Sequence, residues 1–317
     1  MCGIFGFAKT SDKQNDNQLE ILKRLLTELT DESSIRGTDS TGFSIMNPDT
    51  RYTFKTLMDS SELVDSDDWS TILNKIDRQT TIAMGHVRLA TTGSVKLENA
   101  HPFNIGDVTG AHNGIIHNYN EVASSMGKPS PDVDSQVLFQ SLNRNHMSKA
   151  FEEIDGDFAI TWVKDSNRKL HIARESGRPM VVSYWKKARV LFWASTYKIM
   201  SDAMTRAGLR LPIHNVPKDF IYTYDTDMFD GRDNRESVAF ETLSQFNKVN
   251  DWWSRYEYIS PATHYLNASK TEAPSTKRCD YCYVYVKQEE IWKDECNRNV
   301  CWECEYGDVI GGTSCGG

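Results

Sequence analysis

Two groups of residues have types and spacings suited to chemistry. The first is a lone cysteine, Cys2, directly after Met1 in MCGIFGF. Removal of Met1 is expected, because cysteine is small, and it leaves the thiol beside its own α-amine. An α-amine titrates near ~8 and a thiol near ~8.5. The amine can therefore take the thiol proton close to neutral pH, with no histidine or carboxylate needed to activate the nucleophile. The alternative is a small residue buried at the start of a strand, where cysteine is common.

The second group lies at the other end. No cysteine follows Cys2 until Cys279, and then KRCDYC and CWEC give C-x2-C-x18-C-x2-C through Cys279, Cys282, Cys301 and Cys304. That spacing suits a four-thiolate zinc site, with the metal stabilising a segment too short for its own core. Cys296 is a reserve ligand, and Cys315 stands near the tail. A pair of redox-active C-x2-C motifs is the competing reading, but no thioredoxin-like pattern surrounds either. VYVKQEEIW between them is strand-like and suits a zinc-ribbon-like module. Tyrosines, tryptophans and basic residues interleave here, but acidic residues outnumber the basic ones. The module is therefore read as docking protein in preference to nucleic acid.

Several elements must position these groups. Residues 2–8 are apolar and glycine-punctuated, as in a buried strand. Residues 17–30 place Leu19, Leu22, Leu25, Leu26 and Leu29 on one face of a helix. RGTDSTGFSIM is expected to be a loop running into a strand, TTIAMGHVRLATTGS a strand then a loop, VTGAHNGIIHN a strand running into a turn, and DFAITWV, LHIARE, PMVVSYW and VLFWAST strands. A short helix is expected at YNEVASSM, and a helix starts in DVDSQVLFQSLNR with Asp132 or Asp134 near its N-terminus. Helices and strands without a repeating βαβ period point to an α+β fold with stacked sheets. The net charge of −8 argues against broad electrostatic binding to nucleic acid. No apolar run approaches the ~18 residues of a membrane span, and the apolar start lacks the flanks of a signal peptide. A cytoplasmic, reducing setting fits the clustered cysteines.

The order MCGIFGF, RGTDSTG, GHVRLATTG, NAHPF, GAHNGIIHN, DVDSQV resembles the class II glutamine amidotransferases, whose glutaminase domains are N-terminal-nucleophile hydrolases. The resemblance covers residues 2–225 and implies the four-layer αββα sandwich of that fold. It implies that Cys2 attacks the side-chain amide of glutamine, forming a thioester and releasing ammonia. Asn113 and Gly114 match the oxyanion donors. Arg88 matches the arginine that holds the α-carboxylate, with Thr91 beside it in the glutamine-covering loop. Asp134 matches the acid that pairs with the α-ammonium. Asp132 lies two residues earlier, and in isolation either could cap a helix. Arg36, Gly37 and Asp39 match a loop supporting the nucleophile, and His101 a family histidine near the site, grouped with the substrate-binding residues and read as structural or loop-supporting in preference to a general base. Leu89 and Thr92 depart from the family, where many relatives carry an aromatic residue and a histidine.

The expected organisation is an amidotransferase domain at 2–225, an aromatic connector and linker at 226–276, the zinc module at 277–306 and a disordered tail at 307–317. No P-loop and no helix-opening GxGxxG appears. An ammonia-accepting synthase is therefore expected on a separate chain. A reading from another class is a catalytically silent glutamine-binding or scaffolding module that docks a partner through the zinc module.

Overall fold

The computed structural model describes residues 2–226, apart from Asn167 and Ser176, and short strands at Val238–Thr242, Thr276–Arg278, Tyr285–Lys287, Ile291–Lys293 and Asn299–Cys301. The chain divides into two units, the first ending at Thr242. In chain order the strands of the first unit are β1 Gly3–Lys9, β2 Ser40–Met46, β3 Arg51–Thr56, β4 Ile82–Arg88, β5 Phe103–Ile105, β6 Val108–Ile116 and β7 Gly156–Lys164. They continue with β8 Leu170–Arg174, β9 Val181–Trp185, β10 Val190–Ala194, β11 Ile213–Asn215, β12 Phe220–Tyr224 and β13 Val238–Thr242. The helices are α1 Asp16–Glu32, α2 Ser60–Val64, α3 Asp67–Asn74, α4 Tyr119–Ser125, α5 Ser135–Arg144, α6 Met147–Glu152 and α7 Tyr197–Arg206.

Two antiparallel sheets form. One runs β11-β9-β10-β1-β4-β2-β3 and the other β13-β12-β8-β7-β6-β5. The period-2 geometry of a strand explains why β1 is apolar throughout. Phe5 and Phe7 point to one face and join Leu22, Leu25, Leu26 and Leu29 of α1 and Ile199, Met200 and Ala203 of α7. Ile4 and Ala8 point to the other face and meet Ala111, Ala159 and Ile172 of the second sheet. The outer face of the second sheet is covered by α5 and α6. Phe151 lies 5.0 Å from Phe158 and 5.7 Å from Trp162 between ring centroids. A Cβ on Gly110 would come within 2.1 Å of the Phe139 ring. The layers are helix, sheet, sheet, helix.

The helix expected at 17–30 is α1. Asn15 accepts from Gln18 N–H while the Gln18 side chain accepts from Asn15 N–H, a reciprocal cap that fixes its start. A 3-10 turn, Ser33–Arg36, continues from its end and delivers Arg36 to the site. The sheet extends further than the boundary expected at 225. Strand β13 pairs with β12 from Phe220↔Thr242 to Tyr224↔Val238, so part of the expected connector is an edge strand. The tail at 307–317 and most of the connector lie outside the described residues.

Candidate active site

Cys2 sits where β1 begins, half-buried, with its thiol against the start of the loop after β4. Leu89 N–H donates to Sγ at 3.4 Å, and Leu89 O lies 3.5 Å from it. Burial pushes the thiol pKa up, against the lowering effects of the Leu89 hydrogen bond and of Arg88 and Arg36. The resting group is therefore a neutral thiol that needs a base when it reacts. Arg36, itself buried, donates from Nε to Cys2 O at 2.7 Å and so holds the backbone of Cys2.

The RGTDSTG segment acts on the same loop. Asp39 N–H donates to Arg88 O at 2.9 Å, and Asp39 Oδ2 accepts from Ala90 N–H at 2.7 Å. Gly37 packs backbone to backbone here: a Cβ on it would stand 2.4 Å from Arg88 C and 2.7 Å from Leu89 N. Gly37→Ala must push apart the strand end that contacts the thiol. We expect it to destabilise the fold by about 1–3 kcal/mol, as overpacking does, read as a lower denaturant midpoint with unchanged slope. An unchanged midpoint would contradict this contact.

Asn113 is buried near the end of β6. Its Nδ2 donates to Ser195 Oγ at 2.9 Å. Ser195 Oγ also accepts from Ile4 N–H at 2.7 Å and donates to Ile4 O at 3.2 Å. Ser195 thus fastens Asn113 to the strand that carries Cys2. One amide hydrogen of Asn113 remains for a ligand. Gly114 has φ +145°, and a Cβ there would lie 1.9 Å from Asp157 O, so only glycine fits.

Arg88 is buried and gives two hydrogen bonds to its own loop: Nη1 to Ser94 O at 3.1 Å and Nη2 to Thr92 O at 2.6 Å. Its remaining three N–H groups can meet a carboxylate. Asp134 is buried before α5 but does not cap it; Oδ2 accepts from Ile116 N–H at 2.7 Å. The second carboxylate oxygen takes no hydrogen bond from the described residues. Asp132, the other acid considered, is instead exposed and bonded to the Arg88 loop through Ser94, Lys96 and Asn99. Thr91 is exposed on that loop. The contacts close a ring from Cys2 through Leu89, Arg88, the loop, Asp132 and Asp134, β6, Asn113 and Ser195 back to Ile4.

His101 is 3 % exposed, its ring centroid is 4.1 Å from that of His86 and 4.5 Å from that of Phe103, and neither ring nitrogen has a partner among the described residues. His86 Nε2 donates to His112 O at 3.2 Å; His112 Nε2 donates to Asp157 O at 3.4 Å, and its Nδ1 lies 2.7 Å from Ser135 Oγ. Burial lowers the pKa of all three, that of His86 to about 3. Ser195, His86 and His112 carry no spacing signal that names them. Their partners come from other strands, so only the folded pairing reveals them.

Among the described residues no group of three or more His, Cys, Asp or Glu could hold a metal ion. Cys279, Cys282 and Cys304 lie outside those residues, as does the side chain of Cys301. Thr276–Arg278 pairs with Tyr285–Lys287, and Ile291–Lys293 with Asn299–Cys301, each antiparallel. No helix among the described residues is long and apolar enough to cross a membrane.

A family model described as a glutamine amidotransferase domain matches residues 86–202. The chain carries a class II glutamine amidotransferase domain. It is 25 % identical over 303 residues to a glutamine–fructose-6-phosphate aminotransferase (isomerizing) of Buchnera aphidicola, covering 91 % of this chain and 42 % of the relative. It is 27 % identical over 220 residues to the protein of that name in Listeria monocytogenes, covering 64 % of this chain and 32 % of the relative. The chain thus spans less than half the length of these curated relatives. The solved glutamine phosphoribosylpyrophosphate amidotransferase from B. subtilis shares the fold of this amidotransferase domain, at TM-score 0.54 and 18 % identity, covering 76 % of this chain and 49 % of that one. A structure described as the allosteric regulatory enzyme of purine biosynthesis gives TM-score 0.56, also at 18 % identity, with the same coverage.

Proposed function

We propose that the domain hydrolyses the side-chain amide of glutamine to glutamate and ammonia through Cys2. With Met1 removed, the α-amine of Cys2 takes the thiol proton. Sulfur attacks the amide carbon, and the oxyanion is met by the second Asn113 Nδ2 hydrogen and Gly114 N–H. The protonated amine gives its proton to the leaving nitrogen, and ammonia departs, leaving a thioester. Water, deprotonated by the same amine, then releases glutamate and restores the thiol. Arg88 and Thr91 hold the α-carboxylate end and Asp134 the α-ammonium; Arg36, Gly37 and Asp39 hold the nucleophile and its loop. The observation that carries this reading is the Ser195 bridge, which fixes Asn113 to the backbone of Ile4, two residues from the thiol.

The ammonia acceptor is placed outside these 317 residues. The Cys279, Cys282, Cys301 and Cys304 set is proposed to hold a structural zinc in a reducing, cytoplasmic setting. The antiparallel pairing of Thr276–Arg278 with Tyr285–Lys287, on either side of Cys279 and Cys282 in the sequence, supports this. Bound zinc would supply stability there and takes no part in the amide chemistry.

The substrate reading is tested at Asp134. Asp134→Asn keeps an oxygen for Ile116 N–H but removes the charge. It should raise KM for glutamine about 10–100-fold, the range of a charge-assisted hydrogen bond, with kcat little changed. KM for glutaramate, which lacks the α-ammonium, should stay the same. Equal losses for both substrates would contradict the assignment.

A further inference from the structure

The glutamine-facing loop departs from the family at Leu89 and Thr92, and the structure shows what holds it in this chain. One carboxylate oxygen, Asp132 Oδ2, collects three donors from the loop: Asn99 Nδ2 at 2.7 Å, Lys96 Nζ at 2.9 Å and Ser94 Oγ at 3.1 Å. These contacts hold the Asp132 carboxyl well below the usual carboxylate range, the Asn99 hydrogen bond contributing most. Beside them Gly93, at φ +78°, lays its backbone on the same residue; a Cβ would stand 2.4 Å from Asp132 O. Asn99 Nδ2 also donates to Ser94 O at 2.8 Å. The carbonyls of Thr92 and Ser94 are in turn those that fix the Arg88 guanidinium.

We propose that Asp132 is a positioning residue for glutamine: by gathering Ser94, Lys96 and Asn99 on one oxygen, it sets the loop whose carbonyls orient Arg88 toward the α-carboxylate. The proposal rests on the glutamine-hydrolase reading above. An exposed lysine–carboxylate pair alone contributes little and is screened by salt. Here the ion pair shares its oxygen with two neutral donors and sits beside a close backbone contact, so one side chain anchors the loop at neighbouring points. Displacement of the loop would turn Arg88, since two of its N–H groups follow the loop carbonyls. Asp132 touches neither sulfur nor the oxyanion donors, so its effect falls on binding and not on the chemical step.

Steady-state kinetics of the full chain test this. Asp132→Ala should raise KM for glutamine about tenfold, with kcat within about twofold, while Asp132→Asn, which keeps an acceptor for Ser94 and Asn99, should recover part of the loss. The wild-type KM should rise with ionic strength, and Lys96→Met should weaken that dependence, leaving the part that comes from Arg88 and Asp134. Hydrogen exchange over 89–99 should quicken in Asp132→Ala, with the remainder of the domain unchanged. An unchanged KM in Asp132→Ala, or a fall in kcat alone, overturns the role of Asp132. Turnover of glutamine by the wild type distinguishes that result from failure of the hydrolase reading. If the wild type hydrolyses no glutamine, the proposal falls with that reading.

Discussion

Cys2→Ala is expected to abolish glutamate release from glutamine while the domain stays folded. Loss of a nucleophile removes the covalent path altogether, and a fall of about 10⁴-fold or more is the scale such substitutions show. The fold should survive because the side chain is half-buried at a strand start, and its contacts are the paired ones to Leu89 N–H and O. A stability change within about 1 kcal/mol is therefore expected. Cys2→Ser should be folded and far weaker than wild type, since the amine cannot readily deprotonate a hydroxyl. The wild-type kcat/KM should rise with pH through the titration of the α-amine, near ~8 in an unperturbed chain. Glutamate release by Cys2→Ala at the wild-type rate would sink the nucleophile assignment.

Acid should unfold the domain well above the range in which its carboxylates protonate. Four histidines are held neutral by burial: His86 and His171 with pKa lowered to about 3, His101 well below its ordinary value and His112 lowered. In the unfolded chain each takes a proton as pH falls through ~6.5, whereas the folded chain does not. The unfolded state then binds more protons, so stability is complete above pH ~6.5 and is lost as pH falls toward the folded-state values. His86 and His171 each contribute up to about 1.4 kcal/mol per pH unit, or roughly 2 kcal/mol by pH 5. His101 and His112 act in the same direction, against the roughly 5–15 kcal/mol of a whole domain. Denaturant midpoints measured from pH 8 to pH 4.5 should hold above pH 7 and then drop steeply. A midpoint constant between pH 7 and pH 5 would show that these rings are accessible to protons.

Much of this was legible in the sequence, for identifiable reasons. The strand at β1 and the helix at α1 follow from apolar periodicity, and both are where the pattern puts them. The choice of Asp134 over Asp132 rests on motif register; the partners of the two acids come only from the fold. Asp134 turns one oxygen to Ile116 N–H and keeps the other free of the described residues, whereas Asp132 is taken up by the Arg88 loop. The motif of His101 likewise carries no measure of burial, and its ring lies against His86 and Phe103. Ser195 was silent because its importance comes from a contact across 191 residues to Ile4 and 82 to Asn113. Edge strand β13 was missed because the acidic and arginine-rich run before it masks a short apolar segment whose pairing depends on β12.

The central claim is a thioester on the second residue. Protein with Met1 removed should be mixed with isotopically labelled glutamine, quenched in acid within one turnover and digested. Label should appear on the N-terminal peptide carrying Cys2, sensitive to hydroxylamine and absent from Cys2→Ala. Glutamate formed at full rate with no label on that peptide would contradict that claim.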